Sequence, residues 1–199
     1  VAWANGWDLM PQFRRWGVAE QGFWRGWFTL PRVVTEGADK LPRFQPHPQL
    51  ETLRKKAIPW GRKELTVPWT LPDAAETAWE ILLEIPAQQQ TGGLLLQVGS
   101  CFALELTLAS RTLHAYARDS GEQTMQDCGT LQLAPGAPVR LQVFLDRCSA
   151  EIFADGKCLS VNVFDTAPLR PVSLIPQGGT LPLQLLQVWQ LQHVMEPQT

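Results

Sequence analysis

From Lys63 onward the chain alternates short apolar runs with turn-forming residues. Runs of five to nine apolar-rich residues are separated by Pro, Gly and Asp, a spacing typical of a β-sandwich. Leu104, Leu106 and Leu108 alternate with polar residues, as in a strand with one face in the core and one in water. The pattern predicts strands at 63–69, 78–85, 93–99, 102–109, 111–118, 122–133, 138–145, 149–154, 157–164, 170–176 and 181–191.

The strongest turn signal is Asp155-Gly156, which lies between two of these strands. Both central residues of a type I′ turn need positive φ, which Asp and Gly tolerate. We therefore predict a hairpin over residues 149–164. Neighbouring residues of a strand point to opposite faces, and of Ile152 and Phe153 we expect Phe153 to point into the core.

The N-terminal region has a different composition. Residues 1 to about 45 are rich in aromatic residues and arginine, and three prolines between positions 41 and 48 interrupt any regular element. The segment 49–56 is where we expect a short helix. We interpret residues 41–56 as a linker that leads into the strand-rich part.

Charge and hydropathy exclude several classes of partner. The formal net charge is −2 and 18% of the residues are charged, which supports neither nucleic-acid binding nor a polybasic membrane anchor. The apolar runs are far shorter than the roughly 20 residues that a membrane-spanning helix needs. We expect a soluble protein with no nucleic-acid partner and no membrane partner.

The residues that bind metals or form disulfides are few. They are Cys101, Cys128, Cys148, Cys158, His47, His114 and His193. No Cys-x-x-Cys pair and no Gly-rich phosphate loop occur, so we expect no metal site and no cofactor. Low cysteine density without a signal peptide is typical of the reducing cytoplasm, where we expect the protein with free thiols. A disulfide between Cys148 and Cys158, which flank the predicted hairpin, is the alternative.

Two sequence motifs more than a hundred residues apart occur in a characteristic order. The earlier one reads WANGW at 3–7, WRGWFTLPR at 24–32 and PHPQLETLR at 46–54, and the later one reads FLDRCSAEIFADG at 144–156. They resemble the last propeller blade, its exit linker and the late sandwich hairpin of glycoside hydrolase family 32, the invertases and fructan hydrolases. The chain departs from that family at Val33-Val34, where Glu-Leu is usual.

The resemblance implies an all-β fold. Residues 1–47 would be a remnant of the last β-propeller blade, 48–60 a linker with a possible short helix, and 61–199 a C-terminal antiparallel β-sandwich. The chain begins at Val1 and not at Met. We therefore expect it to be a piece of a longer polypeptide.

The activity implied for the parent enzyme is that of a retaining β-fructofuranosidase, a glycosidase that hydrolyses sucrose, sucrose 6-phosphate or raffinose. Such chemistry needs two carboxyl groups about 5 Å apart. The family carries it on Trp-Met-Asn-Asp-Pro-Asn-Gly, Arg-Asp-Pro and Glu-Cys motifs, and this sequence has none of them. We expect no catalytic residue in this chain and no activity from it alone.

One residue is a candidate for contact with a fructoside substrate. Trp7 matches the second Trp of a Trp-x-x-x-Trp pattern that lies on the rim of the family's active-site funnel, where an indole ring can stack on the apolar face of a sugar. The alternative is that Trp7 packs between propeller blades.

The acidic residues between positions 119 and 151 are weaker candidates for a catalytic role. Asp146 and Glu151 could face each other across a turn as an acid–base pair. The resemblance instead places them in the sandwich, far from the funnel. We interpret Asp119, Glu122 and Asp127 as a solvated loop.

For the sandwich itself we favour a structural or assembly role. A lectin-like carbohydrate-binding module is the alternative, although Tyr116 and Trp189 are the only Tyr or Trp after Trp79. Because the neighbours of the blade remnant are missing, we expect residues 1–45 to be disordered or packed against a second copy as a homodimer. A complementing propeller fragment is the other partner considered. We expect the sandwich to fold without this segment.

Overall fold

The computed structural model describes Val1 and residues 28–73, 78–118, 124–146, 149–162 and 170–192. Strands dominate these ranges, with one 3₁₀ helix at Pro48–Leu53. The strands are β1 (Arg32–Glu36), β2 (Pro42–Pro46), β3 (Arg54–Ile58), β4 (Glu64–Leu65), β5 (Trp69–Thr70), β6 (Trp79–Ile85), β7 (Gly93–Val98), β8 (Phe102–Thr107), β9 (Thr112–Ala117), β10 (Gln126–Gln132), β11 (Val139–Leu145), β12 (Ser149–Ala154), β13 (Lys157–Asn162), β14 (Val172–Gln177), β15 (Leu181–Pro182) and β16 (Leu185–Leu191).

Two six-stranded sheets share one hydrophobic core. The first sheet has the order β10-β9-β8-β7-β14-β5 and the second has the order β13-β12-β11-β6-β16-β3. Every pairing within them is antiparallel. Leu96 and Phe102 from the first sheet belong to the same buried cluster as Ile81 and Val143 from the second. The predicted all-β antiparallel sandwich is confirmed.

The predicted strand at 63–69 is two short strands in the structure. β4 pairs with β15 outside the two large sheets, whereas β5 is the edge strand of the first sheet. Pro68 stands between them. Proline has no N–H to donate to a strand ladder, so the apolar run cannot continue as one strand.

The predicted linker at 48–60 contains more regular structure than its sequence indicated. The short helix is present as the 3₁₀ helix, and β3 follows it directly. β3 is the edge of the second sheet, where it pairs with β16. Lys55 and Lys56 are both exposed, and charged edge strands of this kind lack the apolar alternation that reveals inner strands.

The predicted hairpin is present as β12 and β13, but the expected orientation of its side chains is wrong. Asp155 has φ 53° and Gly156 has φ 68°, as a type I′ turn requires. Ile152 is fully buried in the core between the sheets. Phe153 points the other way and is nonetheless only 4% exposed, because the outer face of the second sheet is also covered.

A second hydrophobic cluster lies on that outer face. Its buried members are Leu50, Ala78, Phe144, Phe153 and Leu191. Leu30 and Leu53 pack against it. Residues 28–53, which we call the strap, thus lie on the chain's own sandwich. This differs from the expectation that the N-terminal segment is disordered or packs on another copy; positions 2–27 are outside the described residues.

Candidate functional site between the strap and the second sheet

The carboxylate of Glu151 joins the strap to the sandwich. Glu151 lies on β12 with its side chain 2% exposed. Its Oε1 accepts the backbone N–H of Leu30 at 2.7 Å, and its Oε2 accepts Nη2 of Arg32 at 2.5 Å. A buried charge is costly unless it is paired and hydrogen-bonded. Both oxygens of Glu151 meet that condition through residues of the strap.

Arg32 makes further contacts on the same surface. Its Nη2 also donates to Oγ of Ser160 at 2.5 Å, and its guanidinium lies 5.6 Å from the ring centroid of Phe153. The Nε atom of Arg32 is buried without a hydrogen-bond partner among the described residues. The guanidinium therefore contacts two strands of the sandwich, β12 and β13, through charge, hydrogen bonding and a cation–π contact.

A second buried glutamate lies under the end of the strap. Glu80 on β6 has a side chain only 1% exposed, and it accepts two hydrogen bonds of 2.7 Å from Nε and Nη2 of Arg54. Gln142 donates to the same carboxylate at 2.7 Å, and Arg54 stacks on Trp189 at 3.9 Å. The hydrogen bonds to Glu80 raise the pKa of Arg54 above its ordinary value. Bidentate geometry of this kind is among the stronger ionic contacts in proteins.

The β1–β2 ribbon lies across the turn of the predicted hairpin. The N–H of Phe44 donates to the carbonyl of Gly156 at 2.8 Å. A Cβ at position 156 would lie 2.6 Å from Cδ of Arg43. Glycine at this position therefore serves both the positive φ of the turn and the close approach of β2.

A groove of about 570 Å³ opens between the ribbon, the 3₁₀ helix and the outer face of the second sheet. Its charged side chains are engaged within the protein: Arg54 and Arg140 pair with glutamates, and Arg111 donates to two backbone carbonyls. The remaining lining includes Phe44, Gln45 and Gln187. The groove therefore presents amides and an aromatic ring to whatever lies against it.

Of the residues that the sequence singled out, Trp7 lies outside the described residues. Glu151, considered as one half of an acid–base pair, is instead bound to the strap, whereas Asp146 is exposed. A buried carboxylate with both oxygens held by donors of the same chain is poorly placed to exchange protons with a substrate.

The acidic loop is described only at Asp127. Its Oδ1 lies 2.9 Å from Nε2 of His114 and accepts the N–H of Gly129 at 2.7 Å. The hydrogen bond with His114 and that from Gly129 hold the pKa of Asp127 below its ordinary value. His114 stacks on Tyr116 with 4.2 Å between ring centroids, so one face of the tyrosine that a sugar-binding module would use is occupied.

The cysteine thiols of the described residues are not activated as nucleophiles. Cys128 and Cys158 carry free thiols, Cys101 is buried, and Cys148 lies outside the described residues. Burial raises the pKa of Cys158 to about 12 and also raises the pKa of Cys128. A thiol is nucleophilic only as the thiolate, so neither cysteine is activated for chemistry.

Sequence reasoning missed that Glu151 anchors the strap and that Glu80 anchors Arg54, the first residue after it. Glu151 and Arg32 both belong to the quoted motifs, but nothing in their spacing shows that they meet. Glu80 had a local signal: it is one of two carboxylates in the otherwise apolar strand Trp79–Ile85, and it lies next to the large apolar side chains of Trp79 and Ile81. A charge at such a position indicates a buried partner elsewhere in the chain.

Residues 49–190 match the family described as "Glycosyl hydrolases family 32 C terminal". This match covers more than two thirds of the chain. The chain belongs to the C-terminal domain family of glycosyl hydrolases family 32. The resemblance inferred from the two motifs is thereby confirmed.

Two proteins and two solved structures illustrate the similarity of this family 32 domain. It is 28% identical to raffinose invertase of Escherichia coli over 96% of the chain and 39% of that protein. It is 27% identical to levanase of Bacillus sp. (strain L7) over 98% of the chain and 22% of that protein. Thus it spans about two fifths or less of these relatives.

The solved structures share the fold of the family 32 domain. A Bombyx mori GH32 beta-fructofuranosidase superposes with a TM-score of 0.69 at 17% identity, over 96% of this chain and 37% of the other. A mutant of that enzyme in complex with sucrose superposes with a TM-score of 0.64 at 16% identity, over 88% of this chain and 35% of the other.

The described residues contain no helix long and apolar enough to cross a membrane. Within the same ranges, no three side chains of His, Cys, Asp or Glu come together in a way that could hold a metal ion.

Proposed function

We propose that this family 32 domain is the C-terminal region of a retaining β-fructofuranosidase that hydrolyses sucrose, sucrose 6-phosphate or raffinose. The observation that carries the proposal is the contact between the two family motifs at Glu151 within a chain of this family. The names of raffinose invertase and levanase, and the sucrose complex of the Bombyx mori enzyme, point to the same class of fructoside substrates.

The catalytic carboxylates of the proposed enzyme lie upstream of this region. Retaining hydrolysis needs one carboxyl group as nucleophile and a second as general acid, about 5 Å apart across the scissile bond. Here the two buried glutamates are committed to Arg32 and Arg54. The proposed role of this region is structural: it holds the strap, and through the strap it supports the upstream domain.

The proposed partner is a propeller domain rather than a second copy. Residues 28–53 already lie on their own sandwich through Arg32, Leu30 and Phe44, so the apolar inner side of the strap needs no second copy to cover it. We propose a cytoplasmic location, in keeping with thiols that remain free.

The proposal is tested with a chimaera that joins the part of E. coli raffinose invertase preceding the matched region to Val1 of this chain. The chimaera is expected to release fructose from raffinose and sucrose. It should lose this activity when the nucleophile and the general acid of the upstream part are replaced by the corresponding amides. The chain alone is expected to release none. Turnover by the chain alone, abolished by replacing one of its own acids, would overturn the proposal.

A further inference from the structure

The floor of the groove of about 570 Å³ is a row of side chains on the outer face of the second sheet. Phe153, which points to that face, lies opposite Gln142 on β11. Gln142 in turn lies opposite Leu82, and Leu82 lies opposite Gln187. Residues opposite each other in neighbouring strands share one face of a sheet. All four line the groove, so its floor crosses β12, β11, β6 and β16 in register.

The amide of Gln142 is held in one orientation on this floor. Its Nε2 donates to Oε1 of Glu80 at 2.7 Å. An ionised carboxylate accepts hydrogen bonds and cannot donate them, so the nitrogen of the amide must face Glu80. The Oε1 atom of Gln142 then remains as an acceptor with no partner among the described residues. Gln142 is half-buried, and an acceptor fixed in advance costs a ligand little reorganisation.

The sides of the groove add groups that donate hydrogen bonds and one aromatic ring. Gln45 on β2 and Gln187 on β16 are exposed, so their amides are open to a ligand. The Nδ1 atom of His47 accepts the N–H of Gln49 at 3.2 Å, which places the hydrogen of the neutral imidazole on Nε2. Phe44 is half-buried on the same side as Gln45. The groove therefore offers planar polar groups beside apolar surface.

The charges along the groove cancel. The charged residues among its described lining are Glu51, Arg54, Glu80, Arg111, Arg140 and Asp155, three of each sign. The arginines are engaged within the protein, and Asp155 accepts the N–H of Ala134 at 2.7 Å. A surface without net charge attracts neither anions nor cations. The groove is therefore suited to a neutral, polar ligand.

We propose that this groove binds a neutral oligosaccharide. A sugar chain carries hydroxyl groups that donate and accept, together with apolar C–H faces that pack on an aromatic ring. Gln142, Gln187 and Gln45 would bind the hydroxyls, while Phe44 and Leu82 would pack against the C–H faces. The groove volume lies within the range of about 300–1,000 Å³ that is usual for small-molecule sites.

An extended peptide is a less suitable neutral ligand. Peptides that bind to sheets pair their backbone with a free strand edge. The floor of this groove includes β11 and β6, which lie inside the sheet with a neighbour on each side. A ligand on this floor therefore meets side chains and not backbone groups, which favours the sugar.

The test measures binding of raffinose to the chain by NMR, through the shifts of backbone and glutamine side-chain amides. Shifts are expected at Gln142 and Gln187, and raffinose should bind more tightly than fructose, which fills only part of the groove. Gln187→Ala is expected to weaken binding by about two- to tenfold, the effect of one neutral hydrogen bond. Gln126→Ala, which removes an exposed glutamine of β10 outside the groove, is the matched control and should leave binding unchanged.

Two further measurements test the shape and the neutrality of the site. Gln187→Trp fills the groove and should abolish binding, with an unchanged urea unfolding midpoint because position 187 is exposed. Sucrose 6-phosphate should bind no more tightly than sucrose, since the arginines of the groove are already engaged. Tighter binding of the phosphate ester would contradict the assignment of a neutral ligand.

The outcomes separate this inference from the proposed function. The choice of raffinose rests on that function, so maltotriose serves as a second neutral trisaccharide. Binding of maltotriose but not of raffinose supports the groove and counts against fructosides as its ligands. Binding by the chain, with a chimaera that hydrolyses no fructoside, supports the groove and counts against the activity.

Three results would overturn the proposal. The first is that neither trisaccharide shifts the amides of the groove, whether or not the chimaera is active. The second is raffinose binding that persists in Gln187→Trp, which would place the sugar elsewhere. The third is slow hydrogen exchange of the groove amides in the chimaera without sugar, compared with the chain alone, which would assign the groove to the upstream domain.

Discussion

Arg32 and Glu151 lie 119 positions apart in the sequence, and their Nη2 and Oε2 atoms lie 2.5 Å apart in the folded chain. The same carboxylate accepts the backbone N–H of Leu30. One side chain of the sandwich therefore fixes both the path of the strap and the position of its first charged residue.

Glu151→Ala is expected to lower the free energy of unfolding by about 3 kcal/mol, the lower end of the range for breaking a buried ion pair, because Arg32 keeps some contact with water. Urea denaturation followed by tryptophan fluorescence measures this. The control is Glu36→Ala, which removes the exposed pair with Lys40 across the β1–β2 turn and should cost at most about 1 kcal/mol. Equal effects of the two substitutions would show that the strap contact is not stabilising.

Phe153→Ala and Ile152→Ala are expected to destabilise different parts of the domain. Both remove buried side chains, at a cost of about 3–5 kcal/mol for Phe153 and about 2–5 kcal/mol for Ile152. Because Phe153 lies in the second cluster under the strap, its loss should accelerate exchange of the Leu30 amide selectively. Ile152 lies in the core between the sheets, so its replacement should weaken the whole sandwich without favouring the strap. The opposite pattern would contradict this assignment of faces.

Arg54→Met should be more damaging than the double variant Arg54→Met with Glu80→Met. The single change leaves a carboxylate that is 1% exposed without its ionic partner, at a cost of about 3–5 kcal/mol, whereas removing both charges is often close to neutral. Thermal and urea unfolding of the single variants and of the pair form a double-mutant cycle. Additive losses would mean that Arg54 and Glu80 are not coupled.

Asp127→Asn tests the link between β9 and β10 through its dependence on pH. Since the folded-state pKa of Asp127 is lowered, the carboxylate contributes stability above its unfolded-state pKa of about 3.9 and loses it as the pH falls through the lower folded-state value. The stability difference between wild type and Asp127→Asn should therefore shrink below about pH 4. Urea titrations from pH 7 to pH 2.5 measure it. A difference that grows below about pH 4 would contradict the direction of the shift.

The thiols should react in two stages. In the native protein at pH 8, Cys158 is expected to resist a thiol reagent, because burial raises its pKa to about 12. In urea without reductant, all four cysteines of the sequence should titrate as free thiols. Two or fewer would show a disulfide, with Cys148 and Cys158 as the first pair to examine by peptide mapping.

The inner strands could be predicted because their own residues specify them. Leu104 and Leu106 alternate with half-buried positions on β8, and Asp155-Gly156 encodes its turn locally. β3 could not be found in this way. Its residues Lys55 and Lys56 are exposed, and its place in the sheet depends on the ladder with β16, more than a hundred residues away.

The error over Phe153 has the same origin. Local alternation shows that Phe153 and Ile152 point to opposite faces, but not which face meets the first sheet. That choice was difficult because the outer face is apolar too, and it is apolar because the strap covers it. The anchoring roles of Glu80 and Glu151 likewise depend on arginines that only the fold brings close.

The second cluster makes the N-terminal strap part of the folding unit. A boundary placed at Gly61 would remove β3 and expose Phe144, Phe153 and Leu191 on the surface of the sandwich, next to two carboxylates without counter-ions. Such a surface favours aggregation. The smallest part of this region that folds by itself is therefore expected to begin before Thr29. The sandwich and the strap would then form one domain, whose boundary lies before the strap and not after it.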